Sequence, residues 1–197
     1  MNRRHLLLGA GALTISFAPM ALAANPAETF VSTNIQAGFT ILNDSKLSAA
    51  QRREQFAAFL MGLTDMKRVA LSFLGRYAAG AAQADLDAYF AAYQDYVLSV
   101  YQSYFASYAG QTLHVISSRE RAPGDFIVAT NMAGSNATPM EIDFRVRTDG
   151  PTPLLVDLGV GGVWLGLAQR DQFLSVLAQN SGDIKALTAH LRVAQAR

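Results

Sequence analysis

Cysteine is absent from the 197-residue chain. That absence excludes a disulfide scaffold, a cysteine nucleophile, a zinc–thiolate site and an iron–sulfur cluster. Charge is scarce as well. Asp, Glu, Lys and Arg make up 16% of the residues, where about a quarter is usual. The 16 basic and 15 acidic side chains nearly cancel, for a formal charge of +1. Without a basic excess there is no electrostatic footprint for nucleic acid, and no such partner is expected. Only three histidines occur and none belongs to an H-x-x-x-H pair, so no metal cluster is expected. Proline is missing from the whole stretch between Pro26 and Pro123. What is abundant is apolar: 51% of residues are hydrophobic and the mean hydropathy is +0.16.

Part of that apolar content belongs to the first 23 residues. Arg3 and Arg4 form a short positive segment, an apolar run follows from Leu6 to about Ala18, and Ala21-Leu22-Ala23 matches an A-x-A cleavage pattern. The three features together predict a secretory signal peptide over 1–23. The apolar run is too short for a transmembrane anchor, which needs to span ~30 Å. The paired arginines fit twin-arginine export, and an ordinary Sec signal fits as well. Lipid attachment would need a cysteine after the cleavage site. Residues 24–197 are then expected as one periplasmic domain with a real core. Removing Arg3 and Arg4 takes the charge to −1, but the high hydrophobicity remains.

Apolar residues at helical spacing (Phe30, Val31, Ile35, Phe39, Leu42) predict a helix over 26–43. Ser48 with Gln51 reads as a capping box opening a second helix, which carries Phe56, Phe59, Leu60 and Leu63. Asp65 can cap a short helix that ends at Leu74, with Gly75 as its stop. All seven tyrosines lie between Tyr77 and Tyr108. At 100° per residue, Leu86, Phe90, Tyr93, Val97, Val100, Tyr101, Tyr104 and Tyr108 fall on one arc of about 100°. This predicts one amphipathic helix over 84–108, about 36 Å long.

After Gly110 the period becomes two. Met140, Ile142, Phe144 and Val146 alternate with Glu141, Asp143, Arg145 and Arg147, which predicts a half-buried strand. Further strands are predicted over 112–121, 125–131 and 154–158, joined by short turn-rich connections as in an antiparallel meander. Two helices, about 168–178 and 183–193, close the chain. The fold class is therefore α+β. A helical N-terminal half is expected to pack on a four-stranded, mainly antiparallel sheet, followed by two C-terminal helices.

Few side chains invite catalysis, and no G-x-S-x-G elbow occurs. His114 in a predicted strand and Asp157 in an apolar strand could form an acid–base pair in a small pocket, as in some cone-shaped α+β dehydratases. They could equally be a half-buried polar pair or two unrelated residues. Gly159-Val160-Gly161-Gly162 follows a strand and precedes a helix, but a dinucleotide fingerprint needs glycine where Trp164 stands. The glycines read instead as a bend between strand and helix. The aromatic helix is either ordinary core or the wall of an apolar cavity, and tyrosine hydroxyls suit a wet rim. Arg145 and Arg147 point off the apolar face, toward an anionic head group, a partner or solvent.

Several ordered stretches carry a family resemblance. Leu74-Gly75-Arg76-Tyr77, Tyr89-Phe90-Ala91-Ala92-Tyr93-Gln94-Asp95-Tyr96-Val97 and Tyr108-Ala109-Gly110-Gln111-Thr112 resemble the MlaC family of periplasmic phospholipid-binding proteins, also called toluene-tolerance auxiliary proteins. Glu141-Ile142-Asp143-Phe144-Arg145, Asp157, Gly162-Val163, Arg170-Asp171-Gln172-Phe173 and the closing Leu187–Leu191 helix match in the same order. Two positions depart from the family pattern: Gly161 stands where a glutamate is common, and Trp164 where a serine is. A tryptophan there would narrow or reshape a pocket mouth, and a hopanoid-like terpenoid joins diacyl phospholipid as a possible ligand.

The resemblance implies a non-enzymatic shuttle without cofactor. It would carry a lipid between an outer-membrane lipoprotein complex and an inner-membrane ABC transporter complex with its substrate-binding membrane subunit. It also implies a deep apolar cavity, with acyl tails inside and the head group at its mouth. Combined with the stripe and the alternation, it assigns the wall to Leu71, Leu74, Tyr77, Phe90, Tyr93, Val97, Tyr101 and Tyr104 from the helices. Ile142, Phe144, Val156 and Leu158 complete it from the sheet, with Val163 and Trp164 near the mouth. A non-catalytic sensor of an apolar ligand and the His114/Asp157 enzyme are the competing classes.

Overall fold

The computed structural model describes residues 25–106, 112–134 and 137–195, with side chains over the same ranges except 101–106 and 137–139. The expected signal peptide over 1–23 and the end of the tyrosine helix at 107–108 lie outside the described residues.

Four helices come first: α1 (Pro26–Leu42), α2 (Ala49–Gly62), α3 (Met66–Leu74) and α4 (Gln83–Ala106). Their starts follow local chemistry. Pro26 opens α1, where its missing N–H costs nothing, and the Asn25 side chain accepts the N–H of Ala27. Ser48 and Gln51 form a reciprocal capping box on α2. The Asp65 carboxylate accepts the N–H of Arg68 and starts α3, and Gly75 at φ +53° ends it in a conformation suited to glycine.

Five strands then form an antiparallel meander in the order β1 (Thr112–Ala122), β2 (Asp125–Gly134), β3 (Ala137–Arg147), β4 (Leu154–Val160) and β5 (Val163–Trp164). The fifth strand goes beyond the four expected. Gly161 and Gly162, at φ +55° and +82°, form a two-residue turn that folds Val163 back onto Val160. Both turn positions need positive φ, so the glycine pair makes a hairpin rather than a simple bend. Two helices follow, α5 (Leu165–Gln179) and α6 (Ile184–Gln195).

The sheet and the helices do not share one core. On the sheet, Val128 pairs with Phe144, and Phe126 with Val146, so these side chains share a face. Helix α1 lays Ala27, Val31 and Ile35 on that face. A second cluster joins α3, α4, α5 and α6 through Ala70, Phe73, Leu74, Tyr89, Tyr93, Phe173, Leu177, Leu187 and Leu191. Each fully buried Leu or Phe there is worth about 1.5–3 kcal/mol against exposure. The expectation that the whole helical half packs on the sheet therefore holds in its first helix, while α4 spends its apolar stripe on neighbouring helices.

Candidate functional site

A cavity of about 70 Å³ opens between the helical cluster and β4. Its helical wall is Leu60, Met61 and Thr64 from the end of α2 and the turn after it, Met66, Val69 and Phe73 from α3, and Tyr93, Val97, Leu98 and Val100 from α4. The opposite wall is Leu155, Val156, Asp157 and Leu158 of β4, with Leu165, Gly166 and Gln169 of α5. Two tethers bring these walls together. The N–H of Leu155 donates to the carbonyl of Leu63 at 2.8 Å, fixing β4 to the α2–α3 corner. The Asp157 carboxylate accepts the N–H of Gly166 at 2.7 Å, fixing β4 to the first turn of α5.

The second tether also explains where α5 begins. Trp164 at its N-cap offers no side-chain acceptor. Asp157, supplied from another element, takes that place and lies near the positive end of the helix dipole. The N–H of Leu158 donates to the same Oδ1 at 2.8 Å. Burial pushes the Asp157 carboxyl above the usual carboxylate range, while the N–H groups of Gly166 and Leu158 and the charge of Arg145 pull the other way.

Aromatic packing holds the helical wall. Phe73 and Tyr93 meet edge to face at 5.8 Å between centroids, and Phe173 of α5 packs edge-on against both at 6.0 and 6.2 Å. Tyr89 sits behind them, wholly buried, its hydroxyl donating to the carbonyl of Ala70 at 3.0 Å. Burial raises the Tyr89 hydroxyl pKa above its ordinary value.

The residues assigned to the wall from sequence take several positions. Tyr93, Val97, Val156 and Leu158 line the cavity. Leu74 is fully buried inside the helical cluster, and Leu71, Tyr77 and Phe90 pack against it. Tyr77 lies over Gly182, where a built Cβ would come within 2.8 Å of its ring. Phe144 packs with the α1–sheet cluster, and Ile142 stands between Thr130 and Val160 in the ladder. Val163 is exposed, and the indole of Trp164 lies over Gly159. Tyr101 and Tyr104 belong to α4, but their side chains lie outside the described residues. The α2–α3 corner was missed, although its apolar run through Leu60-Met61 and on to Met66 and Val69 was a readable signal.

The other sequence candidates separate. His114 is exposed on β1 and Asp157 stands on β4, with β2 and β3 between them. Three strand spacings alone put them at least about 14 Å apart, too far for a shared proton. Arg145 binds Asp125 through two hydrogen bonds at 3.0 and 2.9 Å, and Arg121 adds a third at 2.6 Å. The Arg145 guanidinium holds the Asp125 carboxyl below the usual range, against the opposing effect of burial. Arg147 pairs with Asp149.

Comparison with known proteins gives three findings. The sequence model for the MlaC protein matches residues 32–193. The fold is similar to a solved structure of the phospholipid-binding protein from Ralstonia solanacearum, itself in complex with a phospholipid. That likeness has a TM-score of 0.76 at 22% identity and covers 87% of this chain and 98% of the other. No curated protein matches the chain.

Proposed function

Because the chain belongs to the MlaC family, we propose that it is a periplasmic lipid carrier that takes up phospholipid, or another apolar lipid such as a hopanoid-like terpenoid, between β4 and the helical cluster. It would pass that lipid between an outer-membrane lipoprotein complex and an inner-membrane ABC transporter complex. The supporting observation is the apolar cavity walled by Val97, Leu98, Val156 and Leu158, in a fold shared with a protein that holds a phospholipid.

The present volume accommodates on the order of five water-sized groups, well short of an acyl chain. Uptake therefore requires α4 to move away from β4. Helix α4 packs in the helical cluster and not on the sheet face covered by α1, so such a shift leaves the α1–sheet packing intact. Each buried methylene is worth ~0.8 kcal/mol against water, but a bilayer interior is about as apolar as the cavity. Exchange between membrane and carrier is then close to balanced, and direction comes from the partners. No catalytic group is required.

Lipid extraction and mass spectrometry of the purified protein tests this reading. A co-purifying lipid, or uptake from liposomes, is expected. Recovery of neither would overturn it.

A further inference from the structure

Beyond its apolar lining, the cavity carries the polar side chains of Thr64, Asp157 and Gln169. Thr64 is carried there by the Leu63–Leu155 bond, Asp157 stands on β4, and Gln169 follows Gly166 by three residues on the same side of α5. No lysine, arginine or histidine lines the cavity among the described residues, and Asp157 is the acidic residue in that lining.

Two features that could have received a phosphate are already engaged. The N-terminus of α5 would attract an anion, but the Asp157 carboxylate occupies its Gly166 N–H at 2.7 Å. Arg145, opposite Asp157 in the ladder, spends its guanidinium on Asp125 at 3.0 and 2.9 Å. A phosphate brought to Asp157 meets a carboxylate, and the cation whose charge reaches that carboxylate, Arg145, is already held by Asp125. An ammonium meets an acceptor: a carboxylate has about four acceptor sites, and the backbone N–H groups of Leu158, Gly166 and Leu167 take up only part of them.

We propose that Asp157 makes the carrier discriminate by head-group charge, favouring a lipid whose head group bears an ammonium over one of net negative charge. This rests on the lipid-carrier reading above. It adds a specificity-determining residue in the wall of the same cavity. The side chain then has two roles, holding α5 against β4 and facing the head group.

The test is competitive uptake. The purified protein is incubated with vesicles containing equal amounts of phosphatidylethanolamine and phosphatidylglycerol of identical acyl chains. It is then re-isolated, and its bound lipid is quantified by mass spectrometry. The ethanolamine lipid is expected to be enriched about threefold, the scale of a partly exposed charge pair. Asp157→Asn should return the bound ratio to that of the vesicles. Gln169→Lys, which places a cation in the same lining without removing the Asp157 carboxylate or the Gly166 N–H of the α5 tether, should move the ratio toward phosphatidylglycerol. A wild-type ratio equal to that of the vesicles overturns the proposal. So does enrichment that survives Asp157→Asn or, should that variant not fold, is unmoved by Gln169→Lys. Failure to recover either lipid would instead count against the carrier reading itself.

Discussion

The carboxylate of Asp157 lies so close to Gly166 that a Cβ built on the glycine would sit 2.8 Å from Oδ1 and 3.0 Å from Cγ. A strand and a helix are joined here by a hydrogen bond that only the smallest residue permits. The helix takes its first-turn acceptor from β4, because Trp164 cannot supply one.

Gly166→Ala should therefore destabilise the protein by about 1–3 kcal/mol, the scale of a disrupted charged hydrogen bond. The sign is informative. At an unconstrained helix position the same change stabilises by up to about 1 kcal/mol. Thermal unfolding checks it, and an unchanged or raised melting temperature would show that the carboxylate yields freely.

Asp157 and Asp125 should respond to pH in opposite senses. Burial raises the Asp157 carboxyl in the folded state, so above about pH 4 the native protein holds that proton more tightly than the unfolded chain. Its contribution to stability then falls as pH rises through this window. Asp125 is lowered by Arg145, so its contribution is present above about pH 4 and is lost on acidification. Denaturant midpoints from pH 3 to 7 should show Asp157→Asn gaining on the wild type with rising pH. Asp125→Asn should fall behind it over the same change.

Much of the fold was legible because its signals are local. Ser48 with Gln51, Asp65 with Arg68, and Gly75 each act within one turn, and the meander follows from period-two runs and short connections. The beginning of α5 and the strand β5 were not legible in the same way. Residues 165–167 lack a local cap, and their helix depends on Asp157, eight residues upstream in the chain and on another element. The site was legible only in part for a related reason. Periodicity says that a face is buried, not what it is buried against. Leu74 and Phe144 are both packed as their patterns require, yet they belong to different clusters and neither lines the cavity. Tyr89 shows the same limit: it lies outside the single arc drawn for α4 but is wholly buried, because the helix is covered on more than one side.

The two arginines of β3 should behave differently when removed. Arg145→Met leaves the Asp125 carboxylate, whose side chain is 6% exposed, with Arg121 alone. A cost of about 1–3 kcal/mol is expected. Arg145→Lys should recover only part of it, since an ammonium cannot reproduce the two-pronged contact. Arg147→Ala breaks a pair at the protein surface and should leave the melting temperature unmoved. Equal losses from both variants would show that the Asp125 network has no special weight.

Val97 offers the most direct way to separate a functional cavity from a packing defect. It is 5% exposed and reaches the cavity from α4, opposite Val156 and Leu158. Val97→Trp would fill that space at an overpacking cost of about 1–3 kcal/mol, which a folded domain tolerates. Lipid uptake should then fall steeply while the circular-dichroism spectrum keeps its helical content. Val193→Trp, on the exposed face of α6, adds the same bulk away from the cavity and should leave uptake unchanged. If uptake survives Val97→Trp, acyl chains enter elsewhere. The space between α4 and β4 would then be an ordinary gap between two separately packed bodies.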